Sequence, residues 1–363
     1  MLSRLYFQAD LPTWALFLEI LVSGWFVVFL ASRLTVLADK LGDELNLGKA
    51  WIGMLLLATV TSLPEVVTGA TAVGIGNPNL AFATIFGSCS FNIILIVMIN
   101  FVMGEGSVLG RAGGSSHVLT SSFGIILICL SLLGITLVQE FMDRQQPGAA
   151  AWCEWVVCAL IVGCYLMFVR LTYRFEHNGK ERAGNDKKAR QGTAGLGWSI
   201  ALIAVLLVAA AWWLTQTGDV LAVHPIEALG RPLGASFVGA AFLALATSLP
   251  EVVTCLAALK LGHLDLALGN IFGSNMFNIL VIPLLKIVSA GTGQALLMAG
   301  DQFDALQNTI TGLLPLLLTG ITVAALTYRT KRRILRFGFD SIMLAAVYGF
   351  GMYLLFSHQG STP

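Results

Sequence analysis

The sequence predicts an all-α polytopic membrane protein, with ten transmembrane helices arranged as two inverted-topology five-helix repeats. Three observations carry that prediction: an apolar composition outside the soluble range, ten stretches of spanning length, and an ungapped internal duplication. Of 363 residues, 56% are apolar and 11% charged, and the mean hydropathy is +0.82; soluble domains carry roughly 25% charge. The partner this composition demands is the lipid bilayer. A formal net charge of +1 gives no support to a nucleic-acid partner. Cys89, Cys129, Cys153, Cys158, Cys164 and Cys255 all lie in apolar runs without metal-type or secreted-disulfide spacing, and read as small hydrophobes in a helix bundle.

A crossing helix needs about 20 mainly apolar residues. The segments that qualify are 12–35, 50–73, 79–102, 117–138, 151–172, 196–216, 233–259, 264–287, 308–328 and 337–357. The first is too long for the core of a signal peptide and is expected to remain as the first span. Connections are short except for the polar run Tyr173 to Gln191, so the expected organisation is a first repeat over 1–172, a linker over 173–195 and a second repeat over 196–363. Ten spans place 17 of the 21 Lys and Arg on the side of that linker, and Arg4, Arg144, Arg231 and Lys286 on the other. Positive loops stay cytosolic. The expected setting is therefore the plasma membrane, the inner membrane in a bacterium, with the linker in the cytosol and both termini outside.

The duplication is read directly. Thr61-Ser62-Leu63-Pro64-Glu65-Val66-Val67-Thr68 recurs 186 residues later as Thr247-Ser248-Leu249-Pro250-Glu251-Val252-Val253-Thr254. At the same offset Ile85-Phe86-Gly87-Ser88 meets Ile271-Phe272-Gly273-Ser274, and Phe91-Asn92-Ile93 meets Phe277-Asn278-Ile279. Five spans separate corresponding points, an odd number, so the second copy crosses the membrane in the opposite direction. Such halves can exchange conformations and open a midplane site to either side in turn.

The duplicated residues define the expected chemistry. Glu65 and Glu251 lie deep in apolar spans, where a carboxylate costs at least about 2.5 kcal/mol without a partner or a polar cavity. Pro64 and Pro250 lack an amide hydrogen, so the helices are expected to kink or unwind around 58–61 and 244–247 and free carbonyl oxygens. Thr61, Ser62, Glu65 and Thr68 fall on one helical face, as do Thr247, Ser248, Glu251 and Thr254. Thr84, Ser88 and Asn92 form a ladder at intervals of four in the third span, matched by Asn270, Ser274 and Asn278 in the eighth, while Gly87 and Gly273 admit close helix approach. An all-oxygen donor set favours hard cations, Ca²⁺ over Mg²⁺. Two ionised glutamates balance one Ca²⁺ or two Na⁺, which gives a physical basis for exchange.

With these motifs the chain resembles the sodium/calcium exchanger family of the cation/calcium antiporter superfamily, in a form without a large cytosolic regulatory domain. The resemblance rests on the doubled T-S-L-P-E, I-F-G-S and F-N elements and covers nearly the whole chain. It implies Na⁺/Ca²⁺ antiport by alternating access, with no cofactor and no enzymatic activity. Glu65 and Glu251 would bind the central ion. Thr61 and Thr247 would add backbone and side-chain oxygens, Ala58 and Ala244 carbonyls, Ser62, Ser248, Ser88 and Ser274 the flanking sodium sites, and Asn92 and Asn278 the lining of the centre. It also implies that spans one and six slide across spans two, three, seven and eight. Departures from the family pattern stand at Asn278, where an acid is common, at Ala83-Thr84, where Gly-Asn is common, and at Cys89, where the second repeat has Asn275. Fewer carboxylates keep Ca²⁺/H⁺ or Na⁺/H⁺ exchange open beside Na⁺/Ca²⁺ exchange, since a buried Glu can titrate near neutral pH.

An intramembrane enzyme using Glu65 and Glu251 as an acid and base pair is the reading from another class; the sequence offers it no nucleophile or metal triad, and acid/base chemistry does not require the symmetry. A passive channel fits broken helices between inverted repeats less well. Glu19, Glu154 and Asp340 are read as acids near span ends, without mirrored partners, placed at the interface or in local hydrogen bonds. His263 and Asp265, in the turn between spans seven and eight, are candidates for an ion antechamber.

Overall fold

The computed structural model describes residues 12–44, 55, 58–103, 108–111, 115–180, 194–223, 225–226, 231–260, 262, 264–292, 296, 303–328, 333–334 and 337–358. Their helices are α1 (Thr13–Glu44), α2 (Ala58–Thr61), α3 (Leu63–Gly74), α4 (Pro78–Met103), α5 (Val108–Arg111), α6 (Ser115–Asp143), α7 (Pro147–Lys180), α8 (Ala194–Val223), α9 (Ala235–Val238), a π-helical turn (Gly239–Leu243), α10 (Ala244–Thr247), α11 (Leu249–Lys260), α12 (Leu264–Thr292), α13 (Ala305–Tyr328) and α14 (Phe339–His358). Two antiparallel pairs of two residues each, Pro225–Ile226 with Arg231–Pro232 and Arg333–Ile334 with Phe337–Gly338, tighten connections between helices.

Eight of these helices are long and apolar enough to cross a bilayer, and the run from Ala235 to Lys260, bent by 41° at a break, is a ninth. The expected span 50–73 is described from Ala58 onward as α2 and α3, and its beginning lies largely outside the described residues. Apolar length located the spans well but not their ends: α7 continues to Lys180 and α8 starts at Ala194, so the expected linker 173–195 is helical at both of its margins.

The two spans that carry the Ser/Asn ladders form the centre of the bundle. In α4 every residue from Leu80 to Ile93 is buried, and over the most apolar stretch of each span 83% of the residues of α4 and 72% of those of α12 are buried, against 28% in α1 and in α8. A helix apolar on all sides is stable either inside a bundle or in lipid. Helices α4 and α12 take the first place. Helices α1 and α8 pack against each other and take the second, turning Trp14, Leu21, Trp25, Trp198 and Val205 outward.

Close backbone approach sets how near the halves come. A Cβ on Gly87 would lie 2.6 Å from the Ala240 Cα, and one on Gly239 would lie 2.8 Å from the Ala83 Cβ. Only glycine at both positions lets α4 cross the broken seventh span backbone to backbone. This crossing brings the oxygen-bearing residues of the two repeats within reach of one another.

The proline expectation is corrected in its location. The one-turn helices α2 and α10 remain intact, and each chain breaks at a single residue, Ser62 (φ −89°, ψ 8°) and Ser248 (φ −88°, ψ 3°). A new helix begins one residue later, which places Pro64 and Pro250 in its first turn, where a missing amide hydrogen leaves no intrahelical bond unmade. The carbonyls of Ala58 and Ala244 are not freed by this break. Each accepts the amide of the following serine, at 3.1 and 3.0 Å, and the hydroxyl of the following threonine, at 3.3 and 3.4 Å.

The acids near span ends also differ from expectation. Glu154 and Asp340 are themselves 186 residues apart, and so do have mirrored partners: each other. Glu154 of α7 forms an ion pair with Lys286 of α12, whose ammonium also lies 5.4 Å from the Trp155 ring centroid. Lys286 is thus no loop charge; it is buried inside α12. At the mirrored positions, Asn100 of α4 donates to Ser341 of α14, beside the buried Asp340, and accepts the Val108 amide. Glu19 accepts a hydrogen bond from Thr217 at 3.1 Å, which ties α1 to α8.

Candidate cation site

Breaking each helix at the serine that precedes Leu-Pro-Glu separates that serine from its own glutamate. Ser62 donates to Glu251 Oε1 and Ser248 donates to Glu65 Oε1, both at 3.2 Å. The one-face reading, which kept Ser62 with Glu65, is therefore replaced by an exchange between halves. The same exchange recurs around it: Thr61 Oγ1 lies 3.4 Å from Ser274 Oγ, and Ser88 Oγ lies 3.3 Å from Thr247 Oγ1. Ser274 also reaches Glu251 Oε1, at 3.4 Å. Every one of these residues is fully buried.

Two oxygen clusters result, related by the internal two-fold. One holds Glu251, Ser62, Ser274 and Thr61; the other holds Glu65, Ser248, Ser88 and Thr247. Hydroxyl to carboxylate bonds normally close to about 2.5–2.7 Å, yet these oxygens stand 3.2–3.4 Å apart. Two oxygens each about 2.4 Å from a shared hard cation, and at right angles about it, would lie about 3.4 Å apart. The spacing is that of a coordination shell rather than of tight hydrogen bonds.

Glu65 Oε2, Glu251 Oε2, Asn92 Oδ1 and Asn278 Oδ1 are buried and have no hydrogen-bond partner. Buried polar atoms are normally paired, and each one left unpaired costs about 1–3 kcal/mol. Two of these four oxygens belong to carboxylates, and oxygens of this kind lose that cost when they meet a cation. Thr68 and Thr254, one turn beyond each glutamate, have similarly unpaired hydroxyls.

The upper rungs of the ladders have contacts of their own, and Asn270 Oδ1 is a further buried oxygen without a partner. The Thr84 hydroxyl donates back to Leu80 O at 2.7 Å, and the Asn270 amide lies 4.0 Å from the Cys255 sulfur. Ala58 and Ala244 flank the clusters but have their carbonyls engaged as described above. One residue at the centre escapes the sequence reading as a functional group: Asn275, whose amide accepts from Asn92 Nδ2 and donates to Cys89 O, both at 3.0 Å. Its signal was present as the departure between halves at 89 and 275. His263 lies outside the described residues, and Asp265 is an exposed acid held by His117 at 2.9 Å.

Inverted halves that supply mirrored carboxylate and hydroxyl clusters to one buried point define a membrane transporter for cations. The sequence pattern of the sodium/calcium exchanger protein family matches residues 15–174 and again 195–357, and the chain belongs to that family. A putative antiporter CaxA of Alkalimonas amylolytica is 29% identical over 346 residues, covering 93% of this chain and 98% of that protein. The inner membrane protein YrbG of Escherichia coli is 27% identical over 259 residues, 70% of this chain and 74% of its own. Among solved structures, the sodium-calcium exchanger NCX_Mj superposes with a TM-score of 0.57 at 17% identity, covering 94% of this chain and 97% of that one. The H⁺/Ca²⁺ exchanger CAX superposes with a TM-score of 0.61 at 12% identity, covering 98% and 87%. These two likenesses concern the fold, which is the two-repeat membrane fold expected from the duplication.

Proposed function

We propose that this protein exchanges Ca²⁺ for Na⁺ by alternating access, at a midplane site centred on Glu65 and Glu251. The observation that carries the reading is the set of four unpaired buried oxygens, Glu65 Oε2, Glu251 Oε2, Asn92 Oδ1 and Asn278 Oδ1. Flexible all-oxygen coordination suits Ca²⁺. The two carboxylate and hydroxyl clusters, one per half, suit monovalent ions taken up when Ca²⁺ leaves. They would use Thr61, Ser62 and Ser274 on one side and Thr247, Ser248 and Ser88 on the other. Ala58 and Ala244 are the weakest members of the expected set, because their carbonyls already accept two bonds each.

Two carboxylates then neutralise either one Ca²⁺ or two monovalent cations, so each full cycle moves no net charge within the site. The pairing of α1 with α8 at the lipid-facing edge supports these two helices as the moving gate across the buried core. The distribution of Lys and Arg, 17 against 3 once the buried Lys286 is set aside, supports a cytosolic connection between the repeats and termini outside.

Proton coupling is the second reading. Asn278 favours it, since an amide in place of an acid leaves only the two glutamates to carry the counter-ion, and two protons would satisfy both. The deciding experiment is ⁴⁵Ca²⁺ uptake by the full chain in proteoliposomes, under an outward Na⁺ gradient and separately under a pH gradient. Uptake driven by Na⁺ and lost in Glu65→Gln and Glu251→Gln supports the proposal. Uptake driven only by the pH gradient replaces Na⁺ with H⁺, and uptake indifferent to both substitutions removes the site.

A further inference from the structure

Resting on that site, we propose that Asn275 is a positioning residue that turns the Asn92 oxygen toward the ion. Cys89, its counterpart in the first half, leaves Asn278 able to present either end of its carboxamide. The argument starts from an atom that admits no ambiguity. The Cys89 backbone carbonyl can only accept, so the Asn275 group 3.0 Å from it is the NH₂. Asn275 Oδ1 therefore faces the other way and can itself only accept. The Asn92 group 3.0 Å from that oxygen is in turn an NH₂, and Asn92 Oδ1 is the end left without a partner, as are Glu65 Oε2 and Glu251 Oε2. One backbone carbonyl thus fixes two side-chain amides in series.

The first half has only a weaker version of this chain. Where Asn275 stands in the second half, the first has Cys89, whose thiol lies beside Asn278 but points its weak donor toward Asn275 O at 3.7 Å. Neither Asn278 Oδ1 nor Asn278 Nδ2 has a hydrogen-bond partner, although the residue is fully buried. A carboxamide with only a thiol, a weak partner, beside it follows its load. With a cation at the centre its oxygen turns inward; with the cation gone, its NH₂ turns inward and donates to the ionised glutamates. Asn92 is a fixed ligand and Asn278 an adjustable one, which weakens Ca²⁺ holding and eases release.

The test is Ca²⁺ binding to the purified full chain by isothermal titration. Asn275→Cys should release Asn92 and raise the Kd about five-fold, the worth of one oriented hydrogen bond. Cys89→Asn should fix Asn278 with its oxygen inward and lower the Kd by a similar factor. The double variant, Cys89→Asn with Asn275→Cys, should return close to the wild-type Kd, because it again holds one amide and frees the other. A merely structural role for Asn275 would not produce that compensation. In an Asn92→Ala background, Asn275→Cys should leave the Kd unchanged, since the residue it acts through is gone.

An unchanged Kd in Asn275→Cys, or a full effect of Asn275→Cys persisting without Asn92, overturns the inference. So does a double variant that binds as weakly as Asn275→Cys alone. Retained Ca²⁺ binding in Glu65→Gln instead marks failure of the site itself, and the inference falls with it. Thermal unfolding of each variant separates loss of binding from loss of fold.

Discussion

The centre of the molecule and its rim obey the same two-fold, but only the centre keeps the same chemistry in both copies. At the centre, Ser62 with Glu251 repeats as Ser248 with Glu65 at the same 3.2 Å. At the rim, the ion pair of Glu154 with Lys286 is answered by Asn100 with Ser341, next to Asp340. A second rim pair behaves likewise: Asn79 holds Asn308 and the Asp304 amide, while its counterpart Asp265 holds His117. Polarity is retained at 79 and 265, at 100 and 286 and at 154 and 340, but His117 is answered by Phe303 and Ser341 by Trp155, and the residue types are not kept. A contact that only joins two helices can be made by any complementary polar pair. An ion that must be met alike from both sides would admit less variation, and on the proposed reading the variation at Cys89 and Asn275 falls on ligand orientation.

Nine substitutions, in five sets, test this contrast, from the largest effect down. Glu65→Gln and Glu251→Gln should each reduce ⁴⁵Ca²⁺ uptake by about a hundred-fold or more, the loss of a buried charged ligand worth about 3 kcal/mol. The two losses should agree within a few-fold, and a large disparity would break the symmetry of the centre. At the rim, Glu154→Gln leaves a buried ammonium unpaired and should lower stability by roughly 3–5 kcal/mol. Asn100→Leu, at the mirrored clamp, should cost only about 1–3 kcal/mol. Unfolding in detergent reads both, and equal losses would mean that the two clamps are equivalent after all.

Gly87→Ala places a methyl group 2.6 Å from the Ala240 Cα and should cost about 1–3 kcal/mol by overpacking. Gly163→Ala, with nothing within 4 Å of the new Cβ, should be neutral or stabilising by up to about 1 kcal/mol. Ser62→Ala and Ser248→Ala should raise the KM for the monovalent counter-ion about five-fold each, with little effect on folding. Unequal shifts in that KM would show that the flanking clusters serve different ions. The smallest effect belongs to Asp265→Asn. Its side chain is 69% exposed, and losing such a pair should change stability by no more than about 1 kcal/mol.

Much of this was legible in the sequence, because lipid imposes a length on every span and the duplicated motifs are identical over eight residues. Glu65, Glu251, Ser88, Ser274, Asn92 and Asn278 are all fully buried, and the first four make contacts between the halves. What could not be read was which partner each took. A helical-face argument assumes a continuous helix, and the break at Ser62 and Ser248 invalidates it at the residue that matters. Glu154 and Lys286 are 132 residues apart, so nothing in local pattern joins them, and Lys286 near a span end is indistinguishable from a loop charge. Asn275 was visible only as a mismatch with Cys89; its role required knowing which atom it faces.

The crossing of serines between halves bears on how such a chain can arise. Because Ser62 completes the cluster of Glu251 and Ser248 that of Glu65, neither five-helix half contains a finished cluster. A gene encoding one half alone would yield a working protein only if its product entered the membrane in both orientations and paired with its own inverted copy. Fusion of two such genes would then lock in the antiparallel pairing, and from that moment each copy was free to drift wherever the ion is not in contact.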